Sequence, residues 1–403
     1  MTKKLLSRGF LTRKLKWALA ILITILAFQS TLQAHANPTW NIQVVDPAGT
    51  GGKIALDAHD NPHIIYNVDE YFNTNRTGWN YAVWTGKNWS TQTLISPAKL
   101  GDLEWSYPVW NGKNWTIHTI DLEGVSWIHD VYVIRLDSNG NPHIVCSQLN
   151  YTNNVYTSED LRYAYWTGTT WNVQTVDSAS YAYWYPSFVL DSHNNPHITY
   201  HDTSNDVLKY ATWSSSTGWN KSTIDSTGNA QSSVAIDSKG YPHVCYGTYF
   251  SLKYASWNGE AWNIQTVDPN RFQGGLHIDL VLDSRDYSHI GFTGDDGLMY
   301  AKWTGADWNI QIVKPRGIAN SLALDSNDQP HLVSSEVSGS YHGAPRYGNL
   351  TYATLENTPS SLLITIIAVT TVVLVLAVLV LVYRIKRKQI TPPHTTSGSD
   401  KLE

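Results

Sequence analysis

The chain has 403 residues, with 28 Lys and Arg against 33 Asp and Glu, 18 Trp, 24 Tyr and 2 Cys. Two cysteines exclude a disulfide-stapled scaffold, and the acidic balance excludes nucleic acid as a partner, since that binding rests on a basic surface. So many indole and phenol rings among Val, Ile and Thr favour strands over helices.

Residues 1–36 read as a secretory signal peptide. Lys3, Lys4, Arg8, Arg13, Lys14 and Lys16 precede the apolar run Trp17 to Phe28, and Ala34-His35-Ala36 has the small-x-small form of a cleavage site. An uncleaved signal anchor is the alternative. Removing 6 basic residues of the leader and 5 of the tail leaves 17 basic against 31 acidic residues, so the exported part carries −14.

From residue 40 one motif returns along the chain. It runs Leu-Asp-Ser-x-x-x-Pro-His-Ile-x-Tyr, then Leu-x-Tyr-Ala-x-Trp-Thr-Gly-x-x-Trp-Asn-Ile-Gln-Thr-Val-Asp. The Pro-His pair occurs at His63, His143, His197, His243 and His331, with Ser288-His289 as the variant, at intervals of 80, 54, 46, 46 and 42 residues. Such periods mark a repeat architecture, and four short strands per unit make a propeller blade. The predicted strands are a (Leu-Asp), b (Pro-His-Ile), c (Leu-x-Tyr-Ala-x-Trp) and d (Trp-Asn-Ile-Gln), and no helix is expected among them.

The array opens on a solitary d strand, Trp40 to Asp46, and stops after a c strand, Leu350 to Thr354. The first strand is therefore expected to complete the last blade, leaving no unpaired edge. Leu103 to Asp121 holds a c–d hairpin without a or b segments. The fold class predicted for 37–358 is thus an all-β propeller of six to seven blades, with a seventh, incomplete blade slightly favoured.

Ser361 to Tyr383 is 23 residues without a charge, long enough as a helix to cross a bilayer, and Arg384, Lys386, Arg387 and Lys388 follow at once. The expectation is a single-pass membrane protein with the propeller outside and residues 384–403 forming a disordered cytoplasmic tail. Sequons at Asn75, Asn88, Asn114, Asn150, Asn220 and Asn349 fit a glycosylated surface. Cys146 and Cys245 sit on b strands of different blades at different offsets from the Pro-His pair, so they are expected to be free buried thiols.

The repeated residues read as scaffold. Asp57, Asp137, Asp191, Asp237, Asp283 and Asp325 can each bond backbone two residues on, in turns that precede the histidines. The Trp pairs across each c–d turn read as cross-strand packing. Asp137-Ser-Asn-Gly-Asn141 echoes part of a calcium loop but lacks the closing glutamate. Calcium is only weakly indicated, and no other cofactor or metal is expected.

Function should then lie where the repeats disagree. The a–b and c–d turns share one face and are uniform, whereas the b–c and d–a loops share the other and vary, among them Asn150 to Asp160 and Ser338 to Arg346. On that face the densest aromatic cluster is Tyr181, Tyr183, Trp184 and Tyr185, with Trp127, His129 and Asp130 one blade earlier. His201, Asp202, Arg271, His277, Tyr341 and His342 complete the candidate ligand-binding set. Flat rings beside carboxylates suit carbohydrate.

The Leu-Asp-Ser-x-x-x-Pro-His-Ile and Leu-x-Tyr-Ala-x-Trp segments resemble those of secreted and cell-surface prokaryotic propellers of the sialidase-like superfamily, including its BNR-type members. Composition and anchoring suggest an archaeal source. The resemblance implies a propeller over about residues 40–355. No Ser-x-Asp-x-Gly-x-x-Trp box is present, and only Arg76, Arg135, Arg162, Arg271, Arg285, Arg316 and Arg346 lie outside leader and tail, which speaks against a sialidase. The leading expectation is a non-catalytic binding or adhesion module for glycan or another surface ligand. A glycan-active enzyme, lyase or hydrolase, and a structural envelope component are the alternatives.

Overall fold

The computed structural model describes residues 39–68, 78–95, 106–110, 115–119, 128–153, 155–179, 183–226, 231–248, 250–269, 277–341 and 344–356. The expected signal peptide 1–36, the expected membrane span 361–383 and the expected tail 384–403 lie outside these residues. No helix among the described residues is long and apolar enough to cross a membrane.

The described elements are all strands, grouped in six four-stranded antiparallel sheets and one two-stranded sheet. Blade I is β2 (Gly49–Leu56), β3 (Pro62–Val68), β4 (Gly78–Trp84) and β5 (Trp89–Ile95). The hairpin β6 (Ser106–Trp110) and β7 (Trp115–Thr119) follows. Blade II is β8 (Ile128–Leu136), β9 (Pro142–Thr152), β10 (Val155–Trp166) and β11 (Trp171–Ala179). Blade III is β12 (Tyr183–Leu190), β13 (Pro196–Asp202), β14 (Val207–Ser214) and β15 (Gly218–Asp225). Blade IV is β16 (Ser232–Ile236), β17 (Pro242–Gly247), β18 (Leu252–Trp257) and β19 (Trp262–Asp268). Blade V is β20 (Ile278–Leu282), β21 (Ser288–Gly294), β22 (Gly297–Trp303) and β23 (Trp308–Lys314). Blade VI is β24 (Gly317–Leu324), β25 (Pro330–Tyr341), β26 (Ala344–Glu356) and, as its fourth strand, β1 (Thr39–Asp46).

The N-terminal strand thus completes the last blade, as the truncated first and last repeats predict. Its side chains join blade V as well. The Trp40 ring meets Tyr300 edge-on at 5.3 Å, and its Nε1 donates to Gln311 Oε1 at 3.1 Å. Blade VI then seals against blade I through a core of Val45, Ile64, Tyr66, Val333, Leu350 and Tyr352. Similar buried cores join II to III, III to IV, IV to V and V to VI. At about 25 cal/mol per Å² of apolar surface, these junctions supply the main driving force for folding.

The inner strands are also clipped to one another. Ser187 Oγ accepts the Val234 amide, Ser233 Oγ accepts that of Leu280, and Asp279 Oδ2 accepts that of Leu322, at 2.9–3.2 Å. The a strands of blades III, IV and V thus each supply a side-chain acceptor to the next, satisfying an amide on an edge that has no further strand to pair with.

The extra hairpin has only two strands. In the six blades the Ala of Tyr-Ala-x-Trp lies opposite a b-strand residue, as Ala82 does opposite Ile64 and Ala301 opposite Ile290. In β6 that place is taken by Pro108, paired on its other side with Ile117. Antiparallel bonds alternate, so the residue at this place turns its N–H toward strand b. Proline has none to offer, which makes β6 unsuited to carry an inner strand. Among the described residues the complete blades therefore number six.

Candidate functional site

On the uniform face each turn aspartate holds its own loop. Asp57 Oδ1 accepts the amides of His59 and Asn61 at 2.8 and 2.9 Å, and Asp137, Asp191, Asp237, Asp283 and Asp325 repeat the pattern. The second oxygen faces Nε2 of the following histidine at 3.4–3.7 Å in all six blades. Nδ1 of the same ring bonds a c-strand tyrosine: Tyr81, Tyr163, Tyr210, Tyr254, Tyr300 or Tyr352. A carboxylate requires a donor opposite it, so the proton belongs on Nε2 and Nδ1 accepts the tyrosine hydroxyl.

Burial sets the charge of the histidine in five of these triads. It lowers the pKa of His143, His197, His243 and His331 and takes His289 down to about 4, the adjacent aspartates opposing it in part. The rings are therefore neutral at pH 7. Five of the tyrosine rings then receive the edge of the next blade's d-strand tryptophan: Trp219 on Tyr163, Trp262 on Tyr210, Trp308 on Tyr254, Trp40 on Tyr300 and Trp89 on Tyr352, at 5.2–5.4 Å. The Asp–His–Tyr–Trp chain is a device for joining blades. Its tyrosine was readable as the constant neighbour of Ala in Tyr-Ala-x-Trp.

Ser326 of blade VI adds a latch onto Asp60 of blade I, through both its amide at 2.9 Å and its hydroxyl at 2.6 Å. Asp137 is used by its turn and by His143, and among the described residues no group of His, Cys, Asp or Glu is arranged to hold a metal ion. Cys146 and Cys245 are free and buried, and burial pushes the Cys146 thiol up to about 12.

The variable face is built differently. Within Asn150 to Asp160, expected as a loop, residues 150–152 and 155–160 continue the blade II strands, so that β9 and β10 reach 11 and 12 residues, and residue 154 lies outside the described residues. Ser338 to Arg346 likewise falls within the β25–β26 hairpin, whose strands have 12 and 13 residues, apart from 342 and 343, which lie outside the described residues. The b and c strands of the other blades have 6 to 8. Near the tip of the blade II arm Tyr151, Val155 and Tyr156 are 44%, 64% and 37% exposed, and the two tyrosines meet edge-on at 6.1 Å. In the b–c turn of blade IV, Phe250 is 78% exposed. Lower on the arm, Arg162 pairs with Asp160 at 3.1 Å and donates to Gln148 Oε1 at 2.8 Å.

The predicted site residues fall into three groups. Tyr183 and Trp184 open β12 directly opposite Asp202 and His201 of β13, so the structure brings these four to one sheet end. His129 and Asp130 lie on β8 of the neighbouring blade, Tyr185 on β12 and Tyr341 at the end of β25. Trp127, Tyr181, Arg271 and His342 lie outside the described residues.

Where side chains are described, they are engaged. His201 is buried with Nε2 3.1 Å from Asp206 Oδ1. Asp202 is buried too, taking the Ser204 amide and Asn205 Nδ2 and pairing with Lys209 Nζ at 2.6 Å. Lys209 also bridges to Asp177, which accepts the Tyr200 hydroxyl and Lys221. Asp225, Tyr246 and Lys253 repeat that arrangement one blade on, which marks it as scaffold. His277 immediately precedes β20, half-buried, with its pKa lowered to about 4 by burial and then by the charge of Lys53.

Of the sequons, Asn88 and Asn220 are exposed. Asn150 and Asn349 use Nδ2 to donate to Ser158 Oγ and Glu336 Oε2, and Asn75 and Asn114 lie outside the described residues.

No sequence model of a known family matches the chain, and no curated protein matches it. Solved structures match in fold. A streptogramin B lyase is 10% identical, with a TM-score of 0.50 over 79% of this chain and 98% of the other. YCF48 bound to a D1 peptide is 12% identical, with a TM-score of 0.47 over 78% and 96%. A mutant of Trypanosoma rangeli sialidase displaying trans-sialidase activity is 11% identical, with a TM-score of 0.42 over 76% of this chain and 54% of the other, so this chain spans about half its length. At such identities the likeness shows the propeller fold alone.

Proposed function

We propose that this chain is a cell-surface recognition module, exported by residues 1–36 and anchored by the span 361–383, with residues 384–403 inside. Its propeller binds carbohydrate, or another surface ligand, through the variable b–c and d–a face. One observation carries this reading. Tyr151, Val155, Tyr156 and Phe250 are large apolar side chains held exposed at b–c tips of that face. Exposed rings on rigid hairpins cost solvation and offer flat surfaces for stacking, and binding sites collect on loops held by a rigid scaffold.

The sequence pattern assigns Tyr181, Tyr183, Trp184 and Tyr185, with Trp127, His129, Asp130, Arg271, His277, Tyr341 and His342, to the same face, and they extend the proposed surface. His201 and Asp202 serve it from beneath, by holding the turn. A glycan array probed with the full chain in mild detergent tests the reading. Binding to a defined glycan class that is lost when Tyr151 and Tyr156 become serine supports it. Binding unaffected by those changes, or no binding to any glycan or intact cell, refutes it.

A further inference from the structure

Arg135 breaks the pattern of the inner strands. Two residues before the turn aspartate the other five blades carry Ala55, Val189, Ala235, Val281 and Ala323, and blade II alone carries a charge. The guanidinium is not drawn into an ion pair among the described residues. Its one bond is from Nη1 to the carbonyl of Ile134 at 2.9 Å.

That carbonyl locates the group. The Asp137 amide bonds the Asn141 carbonyl, so bonded pairs recur at every second residue from 137, and Ile134, opposite Ile144, falls between them. Its carbonyl therefore points away from β9, over the free inner edge of β8. In a propeller that edge borders the central channel. Arg135 thus lies at the channel, and among the described residues four of its five N–H donors are unused.

The surrounding charges leave it free. Asp279 of blade V is the acid whose field reaches Arg135, but its carboxylate already accepts the Leu322 amide at 2.9 Å and the Ser321 hydroxyl at 3.1 Å. Lys53 of blade I spends its Nζ on the Asn320 carbonyl at 3.0 Å. Among the described residues Asp279 is thus the acid that acts on Arg135, and its carboxylate is committed elsewhere. Enclosure by the ring lowers the pKa of Arg135, with Asp279 opposing, yet the side chain remains exposed toward the channel. Arginine stays charged under such shifts, and a poorly hydrated guanidinium attracts an anion more strongly than one in bulk water.

We propose that Arg135 makes the central channel a carboxylate-binding site, its free planar fork taking both oxygens of the ligand. A single negative charge in a planar group matches one guanidinium. A dianion would need a second cation in contact, and Asp279 disfavours it. The site is separate from the hairpin tips, so the two readings stand or fall apart.

The test is calorimetric titration of the full chain in detergent with glucuronate, glucose and inorganic phosphate as probes. Glucuronate is expected to bind and glucose not. Arg135→Gln is expected to weaken glucuronate by about tenfold or more while keeping the melting temperature, because no folded-state ion pair is lost. Arg135→Lys keeps the charge without the fork and is expected to fall between, which also decides the case if the glutamine variant does not fold. Exchange of Tyr151 and Tyr156 for serine is expected to leave glucuronate binding intact. Equal binding of glucose, phosphate as tight as glucuronate, or arginine variants within twofold of the parent would each overturn the proposal.

Discussion

The two faces of this propeller are made from the same repeat and obey opposite rules. On the uniform face the recurring polar side chains face one another in a fixed order. The Asp carboxylate is divided between its own turn and a neutral imidazole, the imidazole is bonded to a tyrosine, and the tyrosine ring carries the next blade's indole. On the variable face two blades extend their b–c hairpins well beyond the rest, and large apolar side chains stay in water. Repetition thus marks the residues that hold the ring, and departure from it marks those available for contact.

That contrast breaks first, and by the largest margin, in the triads. His289 and the Asp283 side chain are both fully buried, so His289→Ala leaves a cavity and deprives the Tyr300 hydroxyl of its acceptor, while Asp283 Oδ2 keeps Arg285 Nη2 at 3.0 Å. Denaturant unfolding should show a loss of about 3 kcal/mol or more. Trp40→Ala removes the ring that ties the closing strand to blade V through Tyr300 and Gln311, and should cost about 2 kcal/mol because the indole is only half-buried. Both changes strike the scaffold, and neither should alter what the folded protein binds.

A smaller effect comes from acid. His143, His197, His243, His289 and His331, with His277, are all held below the ordinary histidine value, His289 and His277 at about 4. Between about pH 4 and 6.5 the unfolded chain binds more protons than the folded one, so stability present above that window is lost as pH falls through it. The melting temperature at pH 5 should lie roughly 5 °C or more below that at pH 7.5. The smallest effect belongs to the arm. Tyr151→Ser with Tyr156→Ser should change unfolding free energy by less than about 0.5 kcal/mol per site, as exposed substitutions do.

The features legible in the sequence were those that repeat. The period gave the blades, the orphan d strand Trp40 to Asp46 gave the closure, and the turn aspartates gave the a–b geometry. The unequal offsets of Cys146 and Cys245 gave two separate thiols. The arms were hidden because Asn150 to Asp160 is rich in Asn, Thr and Ser, and only pairing of β9 with β10, a property of two segments together, makes it strand. His201 and Asp202 looked available because nothing local shows Lys209 and Asp206 closing over them. Arg135 was one arginine among seven until the register of β8 placed its neighbour's carbonyl on the inner edge.

The most direct test compares binding and stability in two variants of the full chain, one on each face, against immobilised glycans or intact cells. The account predicts that Tyr151→Ser with Tyr156→Ser abolishes binding at unchanged melting temperature, whereas His289→Ala lowers the melting temperature but still binds when assayed below it. Binding lost through His289 and kept through the arm would contradict the assignment of recognition to the variable face.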